Sequence, residues 1–384
     1  MNDIKFIVVG AGFAGSVIAE RIANRLNQKV LVIDKRNHIG GNCFDFITKE
    51  GIIVHRYGPH LFHTNSKEVW EYLSKFTNWR IYQHKVMGVI EGKKVPLPFN
   101  LNTLYQVFPQ NLANNLEKKL LKRFGYGRKI PILELLKEED KDLNFLANYI
   151  YEKVFLGYTL KQWGLIPEKI DPKVFARVPV YISRDNRYFT DKYQGVPEEG
   201  YTKLFEKLLS SKNIKLLLNT DGKELIKVEP ERGKIYFLGN EFKSCLVWTG
   251  PIDELFNYQF GALPYRSLKL EFQTLDIEYY QEVATVNYPE NYDFTRITEF
   301  KHIHPSISKK TIILKEYPKK YEVGKDIPYY PIFTKEAEEN YFKYLELSKK
   351  IPNLILVGRL AEYKYYDMDD IVKRALNVFE EYIK

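Results

Sequence analysis

The sequence predicts an α/β protein with a parallel-sheet domain, a helical lobe and an antiparallel sheet, whose segments alternate along the chain. The first observation is "IKFIVVGAGFAGSVIAERIANRL", an apolar strand followed by a glycine turn and an amphipathic helix. The second is the spacing of apolar residues by three and four between Asn111 and Tyr158, which is typical of helices. The third is a set of alternating runs that indicate antiparallel strands, "RSLKLEF", "VATVNY", "FTRITEF" and "TIILKEY".

The length and composition are those of a globular protein with room for a central cleft. A chain of 384 residues is too long for one core, so we expect two or three lobes. Hydrophobic residues make up 45% of the chain, and no run approaches the roughly 18 apolar residues that a membrane span needs. The N-terminal "MNDIKFIVVGAG" ends in glycines without a small-residue cleavage site, so we interpret it as a strand and expect a cytoplasmic protein.

Charge and side-chain chemistry exclude several classes of function. The densest basic stretch, Lys118–Lys129, alternates lysines with apolar residues like a solvated helix face, so the net charge of +9 does not predict a nucleic-acid partner. Cys43 and Cys245 lie far apart, and the three histidines of "VHRYGPHLFHT" have no cysteine or acidic ligand at useful spacing, so neither a disulfide nor a metal site is predicted. The 29 tyrosines offer flat faces and hydroxyls suited to sugars, bases and phosphates.

The glycines of the first motif predict a dinucleotide site. Gly10 turns the chain, Gly12 lets backbone amides approach a pyrophosphate, and Gly15 allows the helix to pack closely. The next apolar run, "KVLVID", ends in Asp34, whose carboxylate is placed to accept the adenosine ribose hydroxyls. The predicted cofactor contacts in this region also include the neighbouring Phe13 and Lys35.

A second glycine motif favours FAD as the dinucleotide. "HIGGNCFD" carries Gly41 and Asn42 and resembles the motif of flavoproteins of the glutathione-reductase and amine-oxidase type. Near the C-terminus, "NLILVGRLAEYKYYDMDDIVKRALNVF" reads as a strand, an aromatic loop and a helix that Asp367 or Asp369 caps. Because the positive end of such a helix favours the negative charge of a reduced flavin, we predict FAD in its reduced form.

Three further cofactor contacts are predicted beside the flavin. Asp367 and Met368 belong to the start of the late helix. His60 belongs to a Gly-Pro-His turn, whose glycine and proline fix a backbone that could lie against the flavin ring.

The remaining segments are assigned by their periodicity. Leu143, Leu146, Ile150 and Val154 form one apolar stripe of a helical lobe. "VIEGKKVPLPFNLNTLYQVF" reads as two strands and the entry to a helix, and residues 172–200 read as a mobile loop followed by one or two strands. The predicted boundaries are 1–76, 196–255 and 345–384 for the FAD-binding Rossmann-like domain, 98–160 for the helical lobe, and 77–97, 161–195 and 256–344 for the antiparallel sheet domain.

In their order along the chain, these motifs resemble those of one family, the UDP-galactopyranose mutases, flavoenzymes that interconvert the pyranose and furanose forms of a UDP-sugar. The resemblance spans nearly the whole chain. It implies the same three-part fold and a homodimer that supplies furanose for surface glycans. It is carried by "GAGFAG", "HIGGN", "YGPHLFHT", "GYTLKQWG", "YQGVPEEGYTKL", "TGPID", "YRSLKLEF", "TRITE", "KEYP", "PYYP" and "GRLAEYKYYDMD".

The resemblance also implies how a UDP-sugar is bound. Phe155 and Tyr158, in "FLGYTLKQWG", flank the uracil ring, and Trp163 lies beside the sugar. Without the resemblance, these aromatic residues would be read as the core packing of a helix end.

The diphosphate needs planar, bidentate donors, which arginine supplies better than lysine. By motif position, Arg177 in "FARVPV" and Arg296 in "FTRITE" are the implied donors. Tyr317 and Tyr365 add hydroxyl groups, whereas Arg359 in "VGRLAEY" contacts the FAD.

In the mechanism that the resemblance implies, N5 of reduced FAD attacks the anomeric carbon and UDP departs. The covalently held sugar then opens, closes through its other hydroxyl and takes UDP back. The implied catalytic residues, Arg177, Arg296 and His60, position groups and stabilise charge. The alternatives are a flavin oxidoreductase of the amine-oxidase type, which transfers hydride, and a non-enzymatic FAD-binding protein.

Some positions depart from the pattern of the family. Asp293 and Phe294 precede "TRITE" where Pro-Tyr is common, and Phe300 follows it where His is common. We expect these changes to lie near the sugar, so an N-acetylated or deoxy sugar on UDP or dTDP is an alternative substrate. Arg56 adds a charge before "YGPH", with no assigned role.

Overall fold

The nucleotide-type domain is built on a five-stranded parallel sheet. A computed structural model describes residues 4–164 and 178–384. All pairings in this sheet are parallel. Its strands lie in the order Ile214–Leu217, Val30–Ile33, Phe6–Val9, Cys245–Trp248 and Leu354–Leu356. The chain order reverses direction at the central strand, and open α/β sheets bind ligands beside such a point, at the carboxyl ends of the strands.

Apolar side chains cover both faces of this sheet. On one face Val8, Val32 and Val247 pack with three helices, and on the other Ile7, Leu31 and Leu246 pack with two helices and a small sheet. The first set of helices is Phe13–Arg25, Tyr201–Leu208 and Met368–Val378. The second set is Ile252–Leu255 and Lys335–Lys349, with the strands Ile226–Glu229, Lys234–Phe237 and Asn240–Glu241.

The helical lobe is confirmed, and its predicted apolar stripe of Leu143, Leu146, Ile150 and Val154 is buried. Its last helical segments run without a break into the motif "FLGYTLKQWG". The wider turn of π-helix at Tyr151–Leu156 lies at this junction, and such turns are frequent at functional sites. The helices are Leu101–Val107, Gln110–Phe124, Ile132–Leu135, Lys141–Ile150 and Gly157–Trp163.

The third part is a seven-stranded sheet. Its strands lie in the order Tyr330–Pro331, Tyr265–Leu275, Thr311–Lys320, Arg296–Glu299, Thr285–Asn287, Val86–Ile90 and Lys93–Leu97. All four alternating runs are strands here. The sheet is mixed rather than purely antiparallel, because Thr285–Asn287 and Val86–Ile90 pair in parallel.

Two predicted domain boundaries differ from the structure. The described residues of 161–195 add no strand to the seven-stranded sheet, because Val180–Tyr181 pairs with Lys129–Ile130 and Tyr193–Pro197 pairs with Phe62–Thr64 and Trp79–Ile81. The helix Lys335–Lys349 packs on the parallel sheet instead of belonging with residues 256–344, since Ala337, Tyr344 and Leu347 join its core.

Short elements complete the described chain. No helix in the described ranges is long and apolar enough to cross a membrane. The remaining strands and α-helices are Asp45–Ile47, Ile53–His55, Lys67–Leu73 and Gly222–Leu225.

Candidate active site

Two cavities meet at the carboxyl ends of the parallel strands. The glycine-side cavity, of about 440 Å³, is lined by the Gly10–Gly12 turn and by Asp34. The sheet-side cavity, of about 280 Å³, lies between the helical lobe and the seven-stranded sheet. These volumes are of the order of the ~300–1,000 Å³ of small-molecule sites. Both cavities are lined by Asn42, Tyr57, His60, Tyr329, Arg359, Asp367 and Met368, so ligands in the two would touch.

The glycine turn brings bare backbone to the first cavity. Gly10 has a φ of +106°, and a Cβ there would lie 1.9 Å from Oγ1 of Thr249. A Cβ on Gly15 would lie 1.9 Å from the carbonyl oxygen of Gly10, so the helix packs directly on the turn. At Gly12 the nearest atom to an added Cβ is Cα of Gly41 at 3.7 Å, so this face is open to the cavity.

The Asp34 carboxylate holds the turn as well as lining the cavity. It accepts N–H bonds from Ala11 at 2.8 Å and from Arg36 at 2.9 Å, which tie the second strand to the glycine turn. Lys35 also lines the cavity, with its Nζ 3.6 Å from Glu254. Phe13 lines it from the start of the helix and packs on Phe205, the ring centroids 4.7 Å apart.

Arg36 is a cavity residue that the sequence reasoning missed. Its Nη2 donates to Oδ1 of Asn42 at 2.9 Å, and its guanidinium lies 4.4 Å from the centre of the Tyr57 ring. Its Nη1 is buried and has no hydrogen-bond partner among the described residues. A buried donor of this kind needs an acceptor, and a bound anion would provide one. The sequence signal that could have identified Arg36 is its position two residues after Asp34, at the end of the second strand.

The wall between the two cavities carries His60. Its N–H donates to Nδ1 of His55 at 2.9 Å, and its Nδ1 lies 2.8 Å from the carbonyl oxygen of Gly58, to which it donates. Burial, with Arg359 and Arg296 nearby, lowers the pKa of His60 to about 4. The imidazole is therefore neutral at neutral pH, with Nε2 as an acceptor.

Arg359 forms the other side of this wall. Its guanidinium lies 5.4 Å and 5.0 Å from the ring centres of Tyr330 and Tyr365, which stack on each other at 5.6 Å. It donates to the carbonyl oxygens of Tyr329, at 3.2 Å, and Tyr366. The cation thus lies beside this pair of stacked rings where the cavities join, and its positive charge favours an anion there.

The late helix begins at this junction. Asp367 is its N-cap, which decides between the two predicted capping residues, and its N–H donates to Asp370 at 3.2 Å. Asp367 and Met368 line both cavities. The positive end of the helix therefore points at the place where a molecule spanning the cavities would lie.

Asp45, His55 and His304 are buried close enough together to be considered as a metal site. However, Nδ1 of His55 accepts the His60 N–H, so its Nε2 carries the proton and faces Nε2 of His304 at 3.3 Å. Both Asp45 oxygens accept N–H bonds, from Tyr201 and Thr202. The group is a hydrogen-bonded imidazole pair beside a helix-capping carboxylate.

Phe155 and Tyr158, which are predicted to flank a uracil ring, line the sheet-side cavity. Both come from the continuous helical segment, Phe155 at the π-helical turn and Tyr158 in the helix that follows. Burial raises the pKa of Tyr158 to about 12, so its hydroxyl stays protonated and can donate. The Trp163 side chain and all of Arg177 lie outside the described residues.

Arg296 lies at the floor of the sheet-side cavity beside the fully buried Glu316, with 2.8 Å between Nε and Oε1. Burial alone would lower the pKa of Arg296, but the Glu316 carboxylate outweighs it and the pKa rises well above its usual value. The angle of this contact is poor for a hydrogen bond. The guanidinium thus keeps donor capacity for a second anion.

Further polar side chains of the sheet face the same cavity. Thr285 and Asn287 line it, and each has a buried side-chain oxygen without a hydrogen-bond partner among the described residues. His84 lines it too, and burial, with Arg296 and His63 nearby, lowers its pKa to about 3. The sequence reasoning missed all three, because nothing in their local pattern distinguishes them from ordinary polar residues of a strand or a loop.

Some predicted substrate contacts lie elsewhere. Tyr365 lines the cavity, but Tyr317 lines neither cavity, because Glu316 faces inward and neighbouring strand residues alternate. The Tyr317 ring instead packs on Phe294, with ring centroids 6.0 Å apart. Phe300, expected near the sugar, is fully buried outside the cavity lining and packs against His55. Arg56 is exposed and lines neither cavity.

The chain is similar to known proteins over its whole length. The family model described as UDP-galactopyranose mutase matches residues 153–365, and that of the NAD(P)-binding Rossmann-like domain matches residues 8–76. A dTDP-fucopyranose mutase of Escherichia coli is 35% identical, covering 99% of this chain and 98% of the relative. A probable UDP-galactopyranose mutase of Klebsiella pneumoniae is also 35% identical, covering 100% and 96%.

A crystal structure of reduced UDP-galactopyranose mutase has a TM-score of 0.74 at 14% identity, covering 98% of this chain and 93% of that one. This likeness shows the fold: a Rossmann-like dinucleotide-binding domain with helices and a mixed sheet. The UDP-galactopyranose mutase model spans more than half of the chain. Both relatives are 35% identical to the chain over nearly its whole length. The chain therefore belongs to the UDP-galactopyranose mutase family.

Proposed function

We propose that this protein interconverts UDP-galactopyranose and UDP-galactofuranose with reduced FAD as its cofactor. One observation carries the proposal: a half-buried, charged Arg296 faces the sheet-side cavity, which shares a wall with the glycine-side cavity. That arrangement would bring an anionic leaving group and a cofactor ring to opposite sides of one anomeric carbon.

The residues of the glycine-side cavity fit FAD. Open backbone at Gly12 provides room for a pyrophosphate, and the free Nη1 of Arg36 provides a donor for it or for a neighbouring polar group. The N-terminus of the helix Met368–Val378 favours negative charge at the junction. When bound and reduced, the flavin would supply the nucleophile for the anomeric carbon.

The residues of the sheet-side cavity do the remaining work by holding and balancing charge. Phe155 and Tyr158 offer aromatic faces for the base at the helical end. Arg296 would neutralise the diphosphate as it departs and keep it near for its return. The neutral His60 can accept a hydrogen bond at the junction without adding positive charge that would compete for the diphosphate.

A second substrate, dTDP-fucopyranose, is the alternative within the same reaction. It is favoured by the E. coli relative, whose 35% identity over 99% of this chain equals that of the K. pneumoniae relative. Asp293 and Phe294, which depart from the family pattern, lie in the loop before Arg296 and so leave the sugar open.

The test is an assay of pyranose–furanose exchange with chemically reduced enzyme, using UDP-galactopyranose and dTDP-fucopyranose separately. We expect furanose product from the UDP-sugar, no product with oxidised flavin, and no net consumption of reductant per turnover. A preference for the dTDP-sugar would identify dTDP-fucopyranose as the substrate. Consumption of reductant in proportion to product would favour the oxidoreductase.

A further inference from the structure

The motif "FLGYTLKQWG" contains a conspicuous lysine that lines neither cavity. Lys161 lies one turn after Tyr158 in the helix Gly157–Trp163 and is half-buried. The end of this helix is fixed by Arg266, whose guanidinium donates to the carbonyl oxygens of Gln162 at 2.9 Å and Lys161 at 3.0 Å. The backbone at Lys161 is therefore fixed by hydrogen bonds.

The ammonium group of Lys161 donates to three carbonyl oxygens of one loop. These belong to Tyr288, to Glu290 at 2.9 Å and to Phe294 at 3.2 Å. A protonated lysine has three N–H donors and no acceptor, so every donor is matched. Among the residues that the structure describes, no carboxylate forms a salt bridge with Lys161.

The loop that Lys161 holds leads into the catalytic strand. Residues 288–295 connect Thr285–Asn287 to Arg296–Glu299, and the Tyr288 N–H closes the loop on the Thr295 carbonyl oxygen at 2.8 Å. Pro289 lines the sheet-side cavity. The helix touches the same loop at Gly157, where an added Cβ would lie 2.3 Å from the Pro289 carbonyl oxygen.

We propose that Lys161 is a positioning residue that clamps the helix carrying Phe155 and Tyr158 to the loop preceding Arg296. The clamp fixes the distance between the part of the site that binds the base and the part that binds the diphosphate. This inference rests on the proposed function, which identifies the ligand as a nucleoside diphosphate. Asp293 and Phe294 belong to the clamped loop. Their effect on the site is transmitted through the loop backbone and not by contact with the ligand.

The clamp predicts a pH dependence. Burial lowers the pKa of Lys161 to about 8, although Asp293 opposes this. The other charged groups around it are Glu290 on the loop, Arg266 on the neighbouring strand, and Lys153 with its partner Glu91. A neutral amine has only two N–H donors, so one of the three carbonyls loses its donor as the pH rises through about 8.

The experiment measures the Kd of UDP for the FAD-loaded protein at pH 7, 8 and 9 in the wild type, Lys161→Met, Lys161→Arg and the control Lys94→Met. Lys94 is an exposed strand residue whose ammonium group donates to Glu282. We expect the wild-type Kd to rise about three- to tenfold between pH 7 and 9, the effect of losing about one hydrogen bond. Lys161→Met should bind weakly at every pH, Lys161→Arg should show no pH step, and Lys94→Met should match the wild type.

The outcomes separate the clamp from the proposed function. A wild-type Kd without a pH step, or a step that persists in Lys161→Arg, overturns the clamp. If the wild type binds no UDP at all, the proposed function fails, and the clamp is judged by amide hydrogen exchange of residues 288–295. There Lys161→Met must exchange faster than Lys94→Met, and equal rates overturn the clamp. Should Lys161→Met not fold, Lys161→Arg and the wild-type profile still decide.

Discussion

The two cavities recognise their ligands in opposite ways. The glycine-side cavity presents bare backbone from two short glycine segments, so its chemistry depends on side chains being absent at Gly12 and Gly41. The sheet-side cavity gathers half-buried side chains from segments that are distant in sequence, such as Tyr158, Asn287 and Arg296. A change in the first should act by sterics on cofactor retention. A change in the second should act by electrostatics on turnover, with the cofactor retained.

The largest effect is expected for Arg296→Ala. Removing a positioned donor from a departing charge commonly lowers kcat by about 10²–10³, and the bound FAD should be unaffected because Arg296 does not line the glycine-side cavity. Steady-state kinetics with flavin content measures both. The control is Arg184→Ala, an exposed residue paired with Glu117, which should retain wild-type kinetics. Loss of FAD from Arg296→Ala would show that the two cavities are not independent.

Glu316→Gln sharpens the comparison by removing the charge that balances Arg296. Breaking a buried pair costs about 3–5 kcal/mol, and we expect the lower end because 24% of the Arg296 side chain is exposed. Urea denaturation should show this loss. Because UDP would then supply the missing anion, it should stabilise the variant more than the wild type. Equal stabilisation by UDP in both proteins would argue that the diphosphate does not contact Arg296.

Gly12→Val tests the steric side. Overpacking typically costs about 1–3 kcal/mol, which corresponds to about a 5- to 150-fold loss of FAD affinity. Absorbance of the purified protein and FAD titration measure this loss. A control change at Gly51, where nothing lies within 4 Å of an added Cβ but a φ of +72° strains any side chain, adds backbone strain without a clash and should leave FAD content unchanged. Normal flavin occupancy in Gly12→Val would remove the pyrophosphate from this turn.

The smallest effect concerns the neutral imidazoles on the sheet side of the molecule. Burial lowers the pKa of His304 to about 4, against about 6.5 in an unfolded chain, so its contribution to stability is present above pH 6.5 and is lost as the pH falls toward 4. His304→Gln keeps an acceptor for His55 and should flatten the slope of unfolding free energy by about 1.4 kcal/mol per pH unit between pH 6 and 4.5. His302→Gln is the control, since Glu299 outweighs burial and raises the pKa of His302. An unchanged slope in His304→Gln would contradict the assignment.

Local sequence was enough for the glycine turn of the cofactor end. The strand, the turn at Gly10, the helix that packs through Gly15 and the carboxylate of Asp34 all lie within one βαβ-type unit, so their spacing fixes their geometry. The helical stripe and the four strand runs were likewise predictable from their periods. The family motifs added Phe155, Tyr158 and Arg296 to the sheet-side cavity.

Only the tertiary structure decided which side chains of distant segments are in contact. Strand alternation turned Glu316 toward Arg296 and Tyr317 away, and long-range packing placed Phe300 behind His55. The Lys161 ammonium group donates hydrogen bonds to three loop carbonyls that lie more than 120 positions away in the chain. Sequence spacing specifies contacts inside a helix or a turn, because the backbone repeat is fixed there. It does not specify which side chains meet across two lobes, because packing of the whole chain sets those distances.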